Sequence, residues 1–202
     1  MSKKGMIYEA ATSIMVREGI DGLTISKVAY EANIGKSTVY EYFASKDELI
    51  YETINYMAEK YVEDFKEKLF KHDGGFEIKV KLLIKMLIAT MKKGNGNFMF
   101  IVSECDKTFK AKIEIHKRIQ DIMLGIRMKF NDVIEDIIQL GVNEGIIEKP
   151  VNKINFIVWQ NLIVMLSYEY SGVDAFLERY NIDISDEEKN INTIYKYLLK
   201  IL

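Results

Sequence analysis

The sequence predicts an all-α protein: a small N-terminal helix-turn-helix domain of three helices, joined by a long helix to a larger helical domain. Three observations predict it. Only one proline, Pro150, occurs in 202 residues, and the glycines gather at a few breaks, so long stretches carry no helix breaker. Apolar residues recur at helical spacing in most of those stretches. Short capping signals stand where the periodic runs begin.

The first run, residues 7–19, is IYEAATSIMVREG, ending at Gly19. Thr24 precedes the next run and is suited to cap it, its hydroxyl accepting from a free N–H of the first turn. Ile25, Val28, Ala29 and Ala32 then mark one buried face, and the two alanines allow another helix to cross closely. Asn33-Ile34-Gly35 interrupts the run. Either Asn33 or Gly35 could end the helix in a left-handed conformation, with Ile34 turned back into the core. Residues 36–43 supply a second short helix with Val39 and Phe43 inside, leaving Lys36, Ser37, Thr38, Tyr40 and Tyr42 outside. Ser45 begins the following helix, with Glu48 three residues on, a capping box.

The outward set suits contact with a nucleic acid. Hydroxyls of Ser37, Thr38, Tyr40 and Tyr42 can donate to phosphate oxygens, Lys36 and Lys46 add charge, and Thr38 can offer its methyl to a thymine. The alternative is an ordinary helical corner with a solvated tyrosine face.

Residues 6–50 resemble the N-terminal domain of TetR-type repressors. TISKVAYEANI matches that family's T-hydrophobic-x-x-hydrophobic-A-x-x-A-G-V pattern, and KSTVYEYFASKDEL matches its recognition-helix signature. The resemblance covers about a quarter of the chain and implies double-stranded DNA as partner. It implies that Thr24 and Lys46 hold backbone phosphates. Lys36, Ser37 and Thr38 would open the recognition helix facing the groove, and Tyr40 and Tyr42 would contact phosphate or base. Asn33 stands where the family usually has glycine, and Gly35 replaces its usual serine cap.

Charge works against a simple electrostatic reader. Residues 1–50 hold six basic side chains (Lys3, Lys4, Arg17, Lys27, Lys36, Lys46) against seven acidic ones (Glu9, Glu18, Asp21, Glu31, Glu41, Asp47, Glu48). Affinity for DNA leans on phosphate neutralisation. The expectation is therefore segregated charge, with Glu41 facing off the groove, and a dimer to supply a second set of contacts.

Residues 1–47 are read as the helix-turn-helix domain and 48–202 as an effector-binding and dimerisation domain. Within the latter, helices are expected over residues 45–72, 77–92, 97–109 and 112–140, with a break at Gly94-Asn95-Gly96-Asn97. The long helix over 45–72 is expected to carry movement between reader and core. Residues 154–168 contain no charged side chain, yet fall short of the about 20 apolar residues of a membrane span. Such a helix is expected to be buried on more than one side. Ser185 and Glu188 form a second capping box, followed by the stripe Ile191, Ile194, Tyr195, Leu198 and Ile201. Residues 152–171 and 185–202 are expected to form a homodimer interface, as the resemblance also implies. The alternative is that both helices cover the monomer core.

A small-molecule effector, apolar or amphipathic, is expected where flexible and aromatic apolar residues concentrate: Met86, Met91, Phe98, Phe109, Met123, Phe130, Trp159 and Met165. The bland reading of the same residues is plain core. The two histidines, His72 and His116, lie in polar contexts, and Glu104, Cys105, Asp106 and His116 match no zinc spacing. No catalytic constellation, metal site or cofactor is expected. One cysteine and the lack of an apolar leader fit a cytoplasmic protein. A second reading is a helical ligand-binding or scaffolding dimer that has lost DNA binding.

Overall fold

The computed structural model describes residues 2–92, 98–148, 152–169 and 183–202, apart from the side chains of Met91, Met99, Tyr168 and Glu169. The expected break at residues 94–97, and Pro150 and Gly172, lie outside the described residues. The described elements are all helices: α1 (Lys3–Gly22), α2 (Ile25–Glu31), α3 (Lys36–Tyr42), α4 (Lys46–Lys71), α5 (Phe76–Lys92), α6 (Phe98–Phe109), α7 (Ile113–Asn143), α8 (Lys153–Glu169) and α9 (Glu187–Leu199). Two compact units result. The first holds residues 1–64 and 94–128, the second 65–93 and 129–202.

The first unit closes around Ile7, Ala11 and Ile14 of α1, Leu23, Val28 of α2, Val39 of α3, Phe43 and Leu49, Ile50 and Ile54 of α4, all at most 1% exposed. α1 runs past the glycine expected to end it, but kinks there: Gly19 has φ 74°, a conformation that other residues adopt only with strain. Thr53, polar yet fully buried on α4, donates its hydroxyl to the Leu49 carbonyl at 2.7 Å. Cys105 of α6 is buried, and burial pushes its thiol up to about 12, so it stays protonated at neutral pH. Phe100 of α6 is 36% exposed.

The second unit is built on an aliphatic cluster that includes Leu69 of α4, Val80 and Ile84 of α5, Val133 and Ile137 of α7, Trp159 and Ile163 of α8, and Ile194 and Leu198 of α9. Its helix ends are satisfied by charge. The buried Lys79 ammonium donates to the Leu69 carbonyl at 2.9 Å and to that of His72, neutralising the C-terminal end of α4. The Glu144 carboxylate accepts from the Phe76 N–H with both oxygens, at 3.0 and 3.1 Å, and so caps α5.

The expected cap of the last helix is not the one observed. α9 is capped by Asp186, whose carboxylate accepts from Lys189 N–H at 3.0 Å, not by Ser185, whose own N–H is turned to Asp183 at 2.9 Å. Its Ile191, Ile194, Tyr195 and Leu198 stripe is buried against α5 and α8 of the same chain. Within the single chain α8 buries one face and exposes the other. Ile154 is 70% exposed and Ile157 53%, and Val158, Val164 and Met165 lie beside them.

Candidate nucleic-acid interface

The turn between α2 and α3 is set by local backbone chemistry. Thr24 Oγ1 accepts from Lys27 N–H at 3.2 Å, capping α2 as expected and leaving the hydroxyl proton for another partner. At the far end, Ile34 N–H donates to the Ala29 carbonyl at 3.0 Å and Asn33 N–H to that of Tyr30 at 3.1 Å. This paired closure requires a left-handed residue at 33, and Asn33 supplies it with φ 54°. Gly35 therefore does not end α2. It opens α3 with φ −71° and no side-chain cap. Ile34 is only half-buried.

α3 is held from beneath. Val39 is fully buried, and Phe43 meets the Tyr8 ring edge-on at 5.7 Å. Tyr8 stacks on Tyr56 of α4 at 4.7 Å and donates its hydroxyl to Glu52 at 3.1 Å. Burial raises the Tyr8 phenol above its ordinary value, so the hydroxyl remains a donor. Ser45 Oγ accepts from Glu48 N–H at 3.1 Å while Glu48 reaches back to Ala44 N–H at 2.9 Å, which fixes the first turn of α4 and Lys46 within it.

With α3 anchored, the expected contact residues reach the surface. Thr24, Lys36, Ser37, Tyr40 and Tyr42 are exposed, and Thr38 and Lys46 are half-buried. Sequence reasoning passed over Tyr30, which is 89% exposed beside the turn. The signal was present: an aromatic between Ala29 and Ala32 has no place on the buried face.

The charges are sorted by pairing. Arg17 bridges Glu18 at 2.8 Å and Glu31 at 3.0 Å, and Lys27 meets Glu18 at 2.5 Å. Hydrogen bonds from Lys27 and then Arg17 hold the Glu18 carboxyl below the usual carboxylate range, and one from Arg17 does the same for Glu31. Glu9 is held low in the same way by Lys60, then Tyr56. Among the described residues, Lys36 and Lys46 have no ion-pair partner. The domain has no surplus of positive charge, yet among the described residues its lysines without an ion pair are Lys36 and Lys46, at the N-terminal turns of α3 and α4, and Lys3, at that of α1.

The expected effector residues are divided between the two units. Phe98, Phe109 and Met123 belong to the first unit, and Met86, Phe130, Trp159 and Met165 to the second. The Met91 side chain lies outside the description. Trp159 is fully buried, whereas Met165, six residues on and so about 120° away round the helix, is 51% exposed. These two therefore do not face one pocket. Asp106 engages His116 Nε2 at 2.8 Å, and among the described residues no cluster of three metal-ligating side chains occurs.

Residues 7–53 match the family model of bacterial regulatory proteins, tetR family. An HTH-type transcriptional regulator of Haemophilus influenzae is 46% identical over 44 residues, 22% of this chain and 24% of that protein. The fatty acid metabolism regulator protein of Bacillus subtilis is 24% identical over 150 residues, 72% of this chain and 71% of the relative. The structure of the regulator FadR from Bacillus subtilis, in complex with stearoyl-CoA, superposes with a TM-score of 0.59 at 16% identity, covering 98% of both chains. At that identity the likeness speaks for the fold. Residues 7–53 thus resemble the bacterial regulatory proteins of the tetR family, and over most of its length the chain is similar to helix-turn-helix regulators of transcription.

Proposed function

We propose that the chain is a homodimeric repressor that lays its two α3 helices in successive major grooves of a near-palindromic site, about 34–36 Å apart. A small apolar or amphipathic molecule in the second unit releases it. One observation carries the DNA side of this reading: Lys36 and Lys46 beside the turn have no ion-pair partner among the described residues, while Arg17 and Lys27 are neutralised by Glu18 and Glu31. Thr24, Ser37, Thr38, Tyr40 and Tyr42 add hydroxyls around them, with Lys46 and Thr24 on backbone phosphate and Thr38 toward base edges.

The partner chain is supported by α8. Ile154, Ile157, Val158, Val164 and Met165 lie on one side of the helix and stay exposed among the described residues, and a second copy of the helix suits that side. α9 contributes through its outer face, where Tyr197 is 54% exposed, since its apolar stripe is spent inside the chain. A hydrocarbon-bearing effector is supported by the aliphatic cluster of the second unit and by the fatty-acid-related names of the relatives.

Salt-dependent binding to DNA from upstream of the chain's own gene tests the assignment. Lys46→Ala should weaken binding to every sequence and lower the slope of log affinity against log salt by about 1 per half-site. Unchanged affinity at low salt would remove Lys46 from the interface.

A further inference from the structure

Lys112 stands where a lysine is locally unfavourable. Its carbonyl accepts the first bond of α7, from His116 N–H at 3.0 Å, so it occupies the cap position of that helix. Cap positions favour Ser, Thr, Asp and Asn, and the positive end of the helix dipole repels a cation. The backbone is nevertheless fixed there, because Lys112 N–H donates to the Phe109 carbonyl at 2.7 Å. From that position the side chain turns away from its own helix and pairs with Asp47, in the first turn of α4. Arg118 follows two turns later on α7. Its guanidinium lies 3.6 Å from the centre of the Tyr51 ring and 3.9 Å from the Glu52 carboxylate, which keeps the start of α7 beside the start of α4. Both segments belong to the first compact unit.

Asp47 is the neighbour of Lys46. An acid in the first turn complements the α4 dipole, so Asp47 serves the helix itself. The same carboxylate opposes DNA. It belongs to a residue one Cα step, about 3.8 Å, from a lysine assigned to backbone phosphate, well inside the roughly 10 Å over which charge acts at 0.1 M salt. Glu48, the other acid of that turn, is engaged with Ala44 N–H. Among the described residues the counter-charge of Asp47 is Lys112. We infer that Lys112 is a positioning residue for DNA binding: by pairing with Asp47 it cancels a negative charge in the turn that presents Lys46. This rests on the DNA reading above. The Lys112 side chain keeps 55% of its surface exposed, and such a pair adds little to stability. Its effect lies in the field at the phosphates, while Arg118 holds the two helices together.

A charge cycle in the full-length protein tests this. Lys112→Ala leaves the pair at a net charge of −1 and Asp47→Asn at +1, and the double variant returns it to zero, as in the unaltered chain. Affinity for DNA from upstream of the chain's own gene is measured at about 50 mM salt. Lys112→Ala should lose about threefold per half-site, the effect of one uncovered charge several ångströms from phosphate in water. Lys112→Gln, which keeps most of the side-chain length, should do the same. Asp47→Asn should gain by a similar factor, and the double variant should recover the affinity of the unaltered protein. All differences should shrink as salt rises to about 200 mM. A purely mechanical tether predicts otherwise: each variant breaks the pair, so all would be equally weak, and that result overturns the inference. Equal affinity of every protein overturns this inference alone. Absence of binding by the unaltered chain overturns the DNA reading and this inference with it.

Discussion

Asn33 carries more of the reader's geometry than its surface position suggests. It takes φ 54° so that Ile34 and Asn33 can close the end of α2 on Ala29 and Tyr30. A β-branched residue meets its own carbonyl in that conformation, so Asn33→Val should cost about 1–2 kcal/mol. Asn33→Gly should be neutral or mildly stabilising. Thermal unfolding of the three proteins checks both, and an Asn33→Val protein as stable as the parent would contradict the account of the turn. This scale was the most legible in the sequence. Thr24, Asn33 and Ser45 act on neighbours within five residues, so their chemistry is written locally. The exceptions are instructive. Asp186 displaced Ser185 as a cap because Asp183 captured the Ser185 N–H, and a choice between adjacent polar residues is settled by such details. Arg17 and Glu31 are fourteen residues apart, and nothing in spacing alone announces that they pair.

At the scale of the element, helix positions were legible and helix faces only partly so. Leu49, Thr53, Met57, Tyr61, Phe65 and Leu69 recur every four residues along α4, and all are buried except Tyr61, which is half-buried. α8 and α9 divided their roles differently from expectation. The α9 stripe looked available for a partner, but α5 and α8 of the same chain cover it. α8 is apolar on nearly every side, so its pattern marks no single face as buried. Tertiary neighbours decided both cases, and periodicity does not name neighbours. If the exposed α8 stripe is the dimer face, Ile157→Glu and Val164→Glu should shift the protein toward monomers in analytical ultracentrifugation. They should weaken DNA binding by more than tenfold, because each half-site alone offers few contacts. Dimers that persist in the double variant would place the interface elsewhere.

At the scale of the molecule, the two compact units do not follow the order of the chain. The sequence shows where helices start and stop, but which segments pack together depends on contacts between distant residues. The expected effector set draws its members from both units, and composition does not show which of them pack together. The reader fared better, since its fold is local and its signature dense. What changed is its electrostatic character. Ion pairing leaves each chain Lys36 and Lys46 as unpaired cations on α3 and α4, and a dimer then brings four to the DNA.

That count leads to the most direct test of the central claim, that this is a dimeric reader with few charged contacts per half-site. The affinity of the full-length protein for DNA from upstream of its own gene should be measured between about 50 and 200 mM salt, together with the stoichiometry. The account predicts two chains per site and a slope of log affinity against log salt of about −3 to −4, near 0.9 for each of four phosphate-bound lysines. A slope near zero, or a single chain saturating the site, would contradict it.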